Sequence, residues 1–292
     1  MSGWSMRNLG DQTGRKVTIT GANSGLGAQL ALALGAAGAQ VTLACRNQDK
    51  ARAVAEQIGP SATVAELDLA SLDSVRRFAD GFAGADVLIN NAGVMAVPRA
   101  RTADGFEMQI GTNFLGHFAL TGLVLDRVAD RVVTMSSAMH RLARLNVDDL
   151  NWEHRRYQRW IAYGDSKLAD LMFGLELARR LAGAGSSTSS LIAHPGYAAT
   201  DLQGHTDSWM DSVMALGNKT PFAQSAADGA LPALFAATAP EADNGEFYGP
   251  KDFGGMRGAP VRCGYRKVAD DQQLRGRLWD KAADLTGVSF PV

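Results

Sequence analysis

Cysteine is nearly absent: Cys45 and Cys263 are the two in 292 residues. That is too few for a secreted disulfide framework and suits a reducing compartment. Charge of either sign is not in excess, since the formal net charge is -1 at pH 7. No overall field draws the molecule toward nucleic acid or an anionic membrane. No apolar run approaches the ~20 residues of a bilayer span, and residues 1–14 lack the apolar stretch of a secretory signal. There is no Pro/Gly/Ser linker, no internal repeat and no low-complexity tract, and the five histidines and two cysteines show no metal-ligand spacing. These absences lead to the expectation of one cytoplasmic domain over residues 1–292, with a small-molecule partner, no nucleic acid, no membrane span and no metal.

What is present is an alternation of short apolar strands and helical runs in a chain that is 46% apolar. Strands are expected over 16–20, 40–44, 62–67, 86–89, 131–135, 189–193 and 245–248. Helical runs are expected over 49–58, 102–128, 160–181, 221–239 and 270–285. This order implies right-handed βαβ units, and so a Rossmann-type doubly wound parallel sheet of about seven strands with helices on both faces.

The first strand runs straight into Gly21-Ala-Asn-Ser-Gly25-Leu-Gly27 and then a helix. A glycine turn at a helix N-terminus offers backbone N–H groups and a positive dipole end to a phosphate. In this context Gly21 permits the tight turn, Gly25 close approach to a pyrophosphate and Gly27 close packing of helix on strand. Asn23, Ser24 and Leu26 complete the candidate loop. In an NAD site an acidic residue usually ends the second strand, but here the strand ends in Cys45-Arg46-Asn47, and Arg46 lies 19 residues after Gly27. A guanidinium there suits a 2′-phosphate, which favours NADP(H) over NAD(H).

Four further strand ends point at the same crevice. Asp68 and Leu69 follow the third strand, Asp68 being suited either to an adenine edge or to capping the next helix. Asn91, Ala92 and Gly93 follow the fourth, where small residues permit close cofactor approach. Ser136 and Ser137 follow the fifth, where the usual use of a serine is a turn or cap. Pro195 and Gly196 follow the sixth, and Thr200 comes shortly after. Asn113 sits in a helical run, where a buried amide is expensive unless fully used.

The densest signal is Tyr163-Gly-Asp-Ser-Lys167. Residues four apart share a helix face, and an ammonium beside a phenol favours the phenolate form. Tyr163 is thereby a candidate general acid/base. The basic residues His140, Arg141, Arg144, His154, Arg155, Arg156 and Arg159 that precede it read as a solvated face. Met and Trp residues near 203–220, including Trp209, Met210 and Met214, read either as core filling or as a cover over an apolar substrate.

Taken together, Thr20-Gly-x-x-x-Gly-x-Gly27, Asn90-Asn-Ala-Gly93, Asn113, Ser137, Tyr163-x-x-x-Lys167 and Pro195-Gly196 resemble the short-chain dehydrogenase/reductase family in order and spacing. Ala44-Cys-Arg46, His194-Pro-Gly196 and Leu278-Trp279 look like the branch that includes retinol dehydrogenases. The resemblance implies an NADP(H)-dependent oxidoreductase acting on the alcohol/carbonyl pair of an apolar or bulky substrate. Under it Tyr163 handles the substrate proton, and Lys167 tunes the phenol and binds the nicotinamide ribose. Ser137 holds the substrate oxygen, Asn113 anchors a relay water, and Thr200 binds the carboxamide. The gap between Ser137 and Tyr163 is longer than in common members, so segments 138–160 and 200–222 are the expected substrate loops. The resemblance also implies a homodimer or homotetramer assembled through long helices. A nucleotide-sugar epimerase or dehydratase, which has a differently spaced glycine turn, and an NADP(H)-sensing protein without turnover are the competing readings.

Overall fold

The computed structural model describes residues 3–197 and 224–292. Eight strands form one sheet: β1 Lys16–Thr20, β2 Gln40–Cys45, β3 Ala62–Glu66, β4 Ala85–Asn90, β5 Val128–Met135, β6 Ser189–Ala193, β7 Phe247–Asp252 and β8 Arg257–Arg262. Their order is β3-β2-β1-β4-β5-β6-β7-β8. Every neighbouring pair is parallel except β7 with β8. The eighth strand corrects the expectation of about seven. Its Pro260, opposite Pro250, gave a turn signal, and an edge strand is where a sheet tolerates proline.

The strands are apolar because helices cover both faces. Helices α1 Gly25–Ala36, α2 Gln48–Ile58 and, later in the chain, α6 Ala226–Thr238 cover one face. There Leu30, Leu34, Leu43 and Ile89 are fully buried, each 0% exposed. The other face carries α3 Leu72–Asp80, α4 Gly116–Val124, α5 Arg159–Gly183 and α7 Gln272–Thr286. Phe118, Phe173, Trp279 and Phe290 meet there, with the Trp279 and Phe290 rings 4.4 Å apart. The C-terminal segment thus packs over α4 and α5. No helix among the described residues is long and apolar enough to cross a membrane.

The order of winding reverses at β1: β2 and β3 lie to one side and β4 to β7 to the other. A crevice forms at such a switch point beyond the carboxyl ends of the strands. The expected helix over 102–128 is shorter than its propensity suggests. It begins as a single π-helical stretch, Ile110–Leu115, and becomes α-helical at Gly116. Residues 102–106 form a turn in which the Thr102 hydroxyl accepts from the Phe106 N–H.

Candidate active site

The crevice is a cavity of about 510 Å³ running from the glycine loop to α5. Gly21, Asn23, Ser24, Leu26 and Gly27 line one end, with Arg46, Asp68 and Leu69 beside them. Asn91, Ala92 and Gly93 line its middle. Ser137, Tyr163, Lys167, Pro195 and Gly196 line the far end. Gly25 begins α1 at φ +54° and does not line the cavity. Thr200 and the Trp209–Met214 stretch lie outside the described residues.

The glycine loop is held by contacts that admit no side chain. Gly21 has φ +66°, and a Cβ on Gly27 would come within 2.3 Å of the Gly21 carbonyl oxygen and 2.6 Å of Asn91 Nδ2. Asn91 is the latch: its Nδ2 donates to the Thr20 carbonyl at 2.8 Å and its N–H to Thr20 Oγ1 at 2.9 Å. Thr20 Oγ1 also accepts from Ala92 N at 2.9 Å and lies 2.8 Å from His117 Nε2. The Nδ1 of His117 is 2.7 Å from the Asn113 carbonyl oxygen, which can only accept, so Nδ1 carries the proton and Nε2 receives the Thr20 hydroxyl. Burial holds His117 neutral, down at about 3.

A shell of this kind fits a dinucleotide. The loop offers backbone N–H groups where no Cβ intervenes, and Arg46 at the β2 end is exposed and faces the same cavity. Asp68 uses Oδ1 to accept from the Ala70 N–H at 2.9 Å, while Ser71 caps α3 by accepting from Ser74 N. Capping is therefore not the task of Asp68.

At the far end Tyr163 and Lys167 are buried on one face of α5, with Lys167 5% exposed. Lys167 Nζ donates to the Met135 carbonyl at 3.0 Å and to Asp170 Oδ2 at 2.8 Å. The two serines divide their work. Ser136 Oγ is buried and donates to the Lys167 carbonyl at 2.7 Å, joining β5 to α5. Ser137 starts a 3-10 turn by accepting from Met139 N at 3.2 Å and keeps its hydroxyl on the cavity.

Asn113 lies behind the cavity wall rather than on it. Its Oδ1 accepts from Val94 N at 2.8 Å, and its Nδ2 donates to the Val94 carbonyl and to Ser166 Oγ at 2.9 Å each. The amide is fully used, as burial demands, and it fixes the backbone beside Gly93.

The remaining wall is apolar: Met95, Met108, Met139 and Trp160 surround the Tyr163 end. Ala96, at φ +50°, sets the turn that carries Met95. Gln109, 0% exposed, holds that turn by accepting from Ala96 N at 2.8 Å while donating to the Arg159 carbonyl at 2.9 Å.

The charged segment before α5 is a solvated face only in part: Arg141, Arg144, His154 and Arg156 are exposed as expected, while His140 is buried and Arg155 turns inward. Arg155 bridges Asp149 at 3.3 Å and Asp165 at 3.1 Å and lies over the Trp152 ring, 3.7 Å from its centre. Asp165 is inside the Tyr163–Lys167 motif on the opposite face, where burial pushes its carboxyl up to about 6. The buried carboxylate recruited these partners, which a one-dimensional reading of charge runs does not register. Sequence reasoning also missed Asp170, visible only as an acid three residues after Lys167. It missed Gly254, Gly255 and Met256 as well, which the β7–β8 turn brings to the cavity.

A doubly wound sheet whose switch-point crevice joins a phosphate-type glycine loop to a buried Tyr/Lys pair defines a Rossmann-type oxidoreductase. A family model for short chain dehydrogenases matches residues 15–211. Retinol dehydrogenase 13 from Homo sapiens is 39% identical over 300 residues, covering 95% of this chain and 86% of that protein. Retinol dehydrogenase 11 from Homo sapiens is 39% identical over 290 residues, covering 94% of this chain and 86% of that protein. Among solved structures, an uncharacterized protein from Mycobacterium Paratuberculosis matches with a TM-score of 0.87 at 47% identity over 100% of both chains. The chain belongs to the short-chain dehydrogenase family and is an oxidoreductase acting on CH–OH groups.

Proposed function

We propose that this protein interconverts an apolar alcohol and its carbonyl with NADP(H), Tyr163 acting as general acid/base. The observation that carries the reading is that Ser137, Tyr163 and Lys167 line the same cavity as Gly21, Gly27 and Arg46. When bound, the nicotinamide supplies or accepts the hydride. Everything else falls to the chain. The glycine-loop amides and Arg46 hold the phosphates, Asp68 and Leu69 flank the adenine end, and Lys167 holds the ribose beside the nicotinamide. Pro195 and Gly196 complete that end, and the family resemblance gives Thr200 the carboxamide to bind.

In the reducing direction Tyr163 gives its proton to the substrate oxygen, and Ser137 donates a hydrogen bond to the same oxygen as negative charge develops. In the oxidising direction both roles reverse. Asn113 acts by fixing the Val94 backbone and thus the wall beside Gly93. Met95, Met108, Met139 and Trp160 present a soft, adaptable apolar surface to the substrate, and segment 138–160, clamped to α5 through Asp165, forms one side of its enclosure. On this reading a single domain over residues 1–292 carries the whole reaction.

The test is nicotinamide absorbance with a panel of apolar and polar carbonyls, each with NADPH and NADH. Turnover of apolar carbonyls with NADPH, at kcat/KM at least about tenfold above polar ones of equal size, is expected, since one buried aliphatic side chain is worth about 1.5–3 kcal/mol. Binding of NADPH with no turnover across the panel would contradict the reading and leave a sensor.

A further inference from the structure

Lys167 is a buried ammonium whose neighbours decide both its charge and its direction. An ammonium has three N–H bonds in a fixed tetrahedral array. Two are taken, by the Met135 carbonyl at 3.0 Å and Asp170 Oδ2 at 2.8 Å, which leaves the third for the cavity that Lys167 lines. Across that gap stands Gly93, where a Cβ would lie 3.7 Å from Nζ. Any change at Asp170 therefore re-aims the one donor that faces the cavity.

Asp170 itself is 1% exposed, and its other oxygen, Oδ1, is buried with no hydrogen-bond partner among the described residues. Removing a carboxylate from water costs several kcal/mol, and an ion pair repays this only where the remaining lone pairs are satisfied. A carboxylate that spends one oxygen on one lysine and leaves the other bare is a poor way to hold a helix against a sheet. An apolar residue of the same volume would do that better. The one hydrogen bond that the Asp170 side chain makes among the described residues, to Lys167, is the explanation of its presence.

We infer that Asp170 is a positioning residue that keeps the Lys167 ammonium charged away from water and aims its third N–H into the cavity. This rests on the role proposed above for Lys167. Burial alone would lower Lys167, but the Asp170 carboxylate, helped by Tyr163, more than offsets it and holds Lys167 above its usual value. Burial pushes the Asp170 carboxyl up to about 6, with Lys167 pulling it back, so the pair is ionic at neutral pH. The titratable groups facing the pair are Tyr163 on α5 and the neutral His117 on α4. As pH rises through the raised Lys167 value the ammonium is lost, and with it the aimed donor.

Asp170→Asn keeps shape and an acceptor for Nζ but removes the charge. The expected result is a fall in kcat/KM of about tenfold, with the alkaline limb of the pH–rate profile displaced by at least about one unit toward neutral pH. Asp170→Glu keeps the charge but shifts the carboxylate by a methylene, so kcat falls while the alkaline limb stays. In a Lys167→Met background Asp170→Asn is expected to cost no further residual activity, because a residue acting through Lys167 has nothing left to act on.

A kcat/KM for Asp170→Asn within about twofold of wild type and an unmoved limb would overturn the inference, as would additive loss in the double variant. Should Asp170→Asn not fold, wild-type kcat in Asp170→Glu overturns it instead. Lys167→Met at wild-type turnover sinks both this inference and the proposed function. An inactive Lys167→Met beside an unaffected Asp170→Asn sinks this inference alone.

Discussion

Tyr163→Phe is expected to lower kcat by more than about 100-fold, the size of effect that a positioned proton donor supplies. The phenol oxygen is the only atom removed, and the ring stays packed among Met95, Ala96, Met139 and Trp160. Stability should therefore change little, since the substitution leaves no cavity. NADPH affinity, followed by fluorescence titration, should also stay close to wild type, because the phosphate-binding loop begins at the opposite end of the crevice. Loss of kcat with binding retained is the signature of a group that works in the transition state rather than in the ground state. Wild-type turnover in this variant would remove Tyr163 from the chemistry.

The second large effect concerns cofactor choice. Arg46→Asp should lower kcat/KM for NADPH by about 10- to 100-fold, since hydrogen bonds to charged groups are worth about 1.5–3 kcal/mol each. The new carboxylate would also repel a 2′-phosphate, while it can accept from a 2′-hydroxyl. The ratio of kcat/KM for NADPH to that for NADH should therefore invert. The residue is exposed, so the protein should tolerate the change. An unchanged ratio in steady-state assays with both cofactors would place cofactor selection elsewhere.

Both predictions rest on sequence features that are local. Gly21-x-x-x-Gly25-x-Gly27 lies between a β-branched strand and a helix-forming run, and the backbone follows: β1 ends at Thr20 and α1 begins at Gly25. The four-residue spacing of Tyr163 and Lys167 fixes their common face wherever the helix packs. What was hidden depends on contacts distant in sequence. The edge strand β8 is made by its pairing with β7, against the local preference of Gly258 and Pro260. Arg155 and His140 looked like solvent-facing charge. Yet Arg155 serves two buried or nearly buried carboxylates, Asp149 and Asp165, and His140 is 1% exposed. Asn113 read either as a structural bridge or as a group placed for chemistry, and sequence alone could not choose between them. Its side-chain amide proves to be spent on Val94 and Ser166, and its carbonyl engages His117. Such roles follow from tertiary hydrogen bonding, which no periodicity encodes.

The central claim is that one crevice joins phosphate recognition at Gly21–Gly27 and Arg46 to proton transfer at Tyr163. The most direct measurement is a crystal structure of the protein with NADP(H). The account predicts phosphates at the glycine-loop amides, the 2′-phosphate at Arg46 and the nicotinamide beside Tyr163 and Ser137. A dinucleotide bound with its nicotinamide remote from Tyr163, or bound outside this crevice altogether, would contradict it.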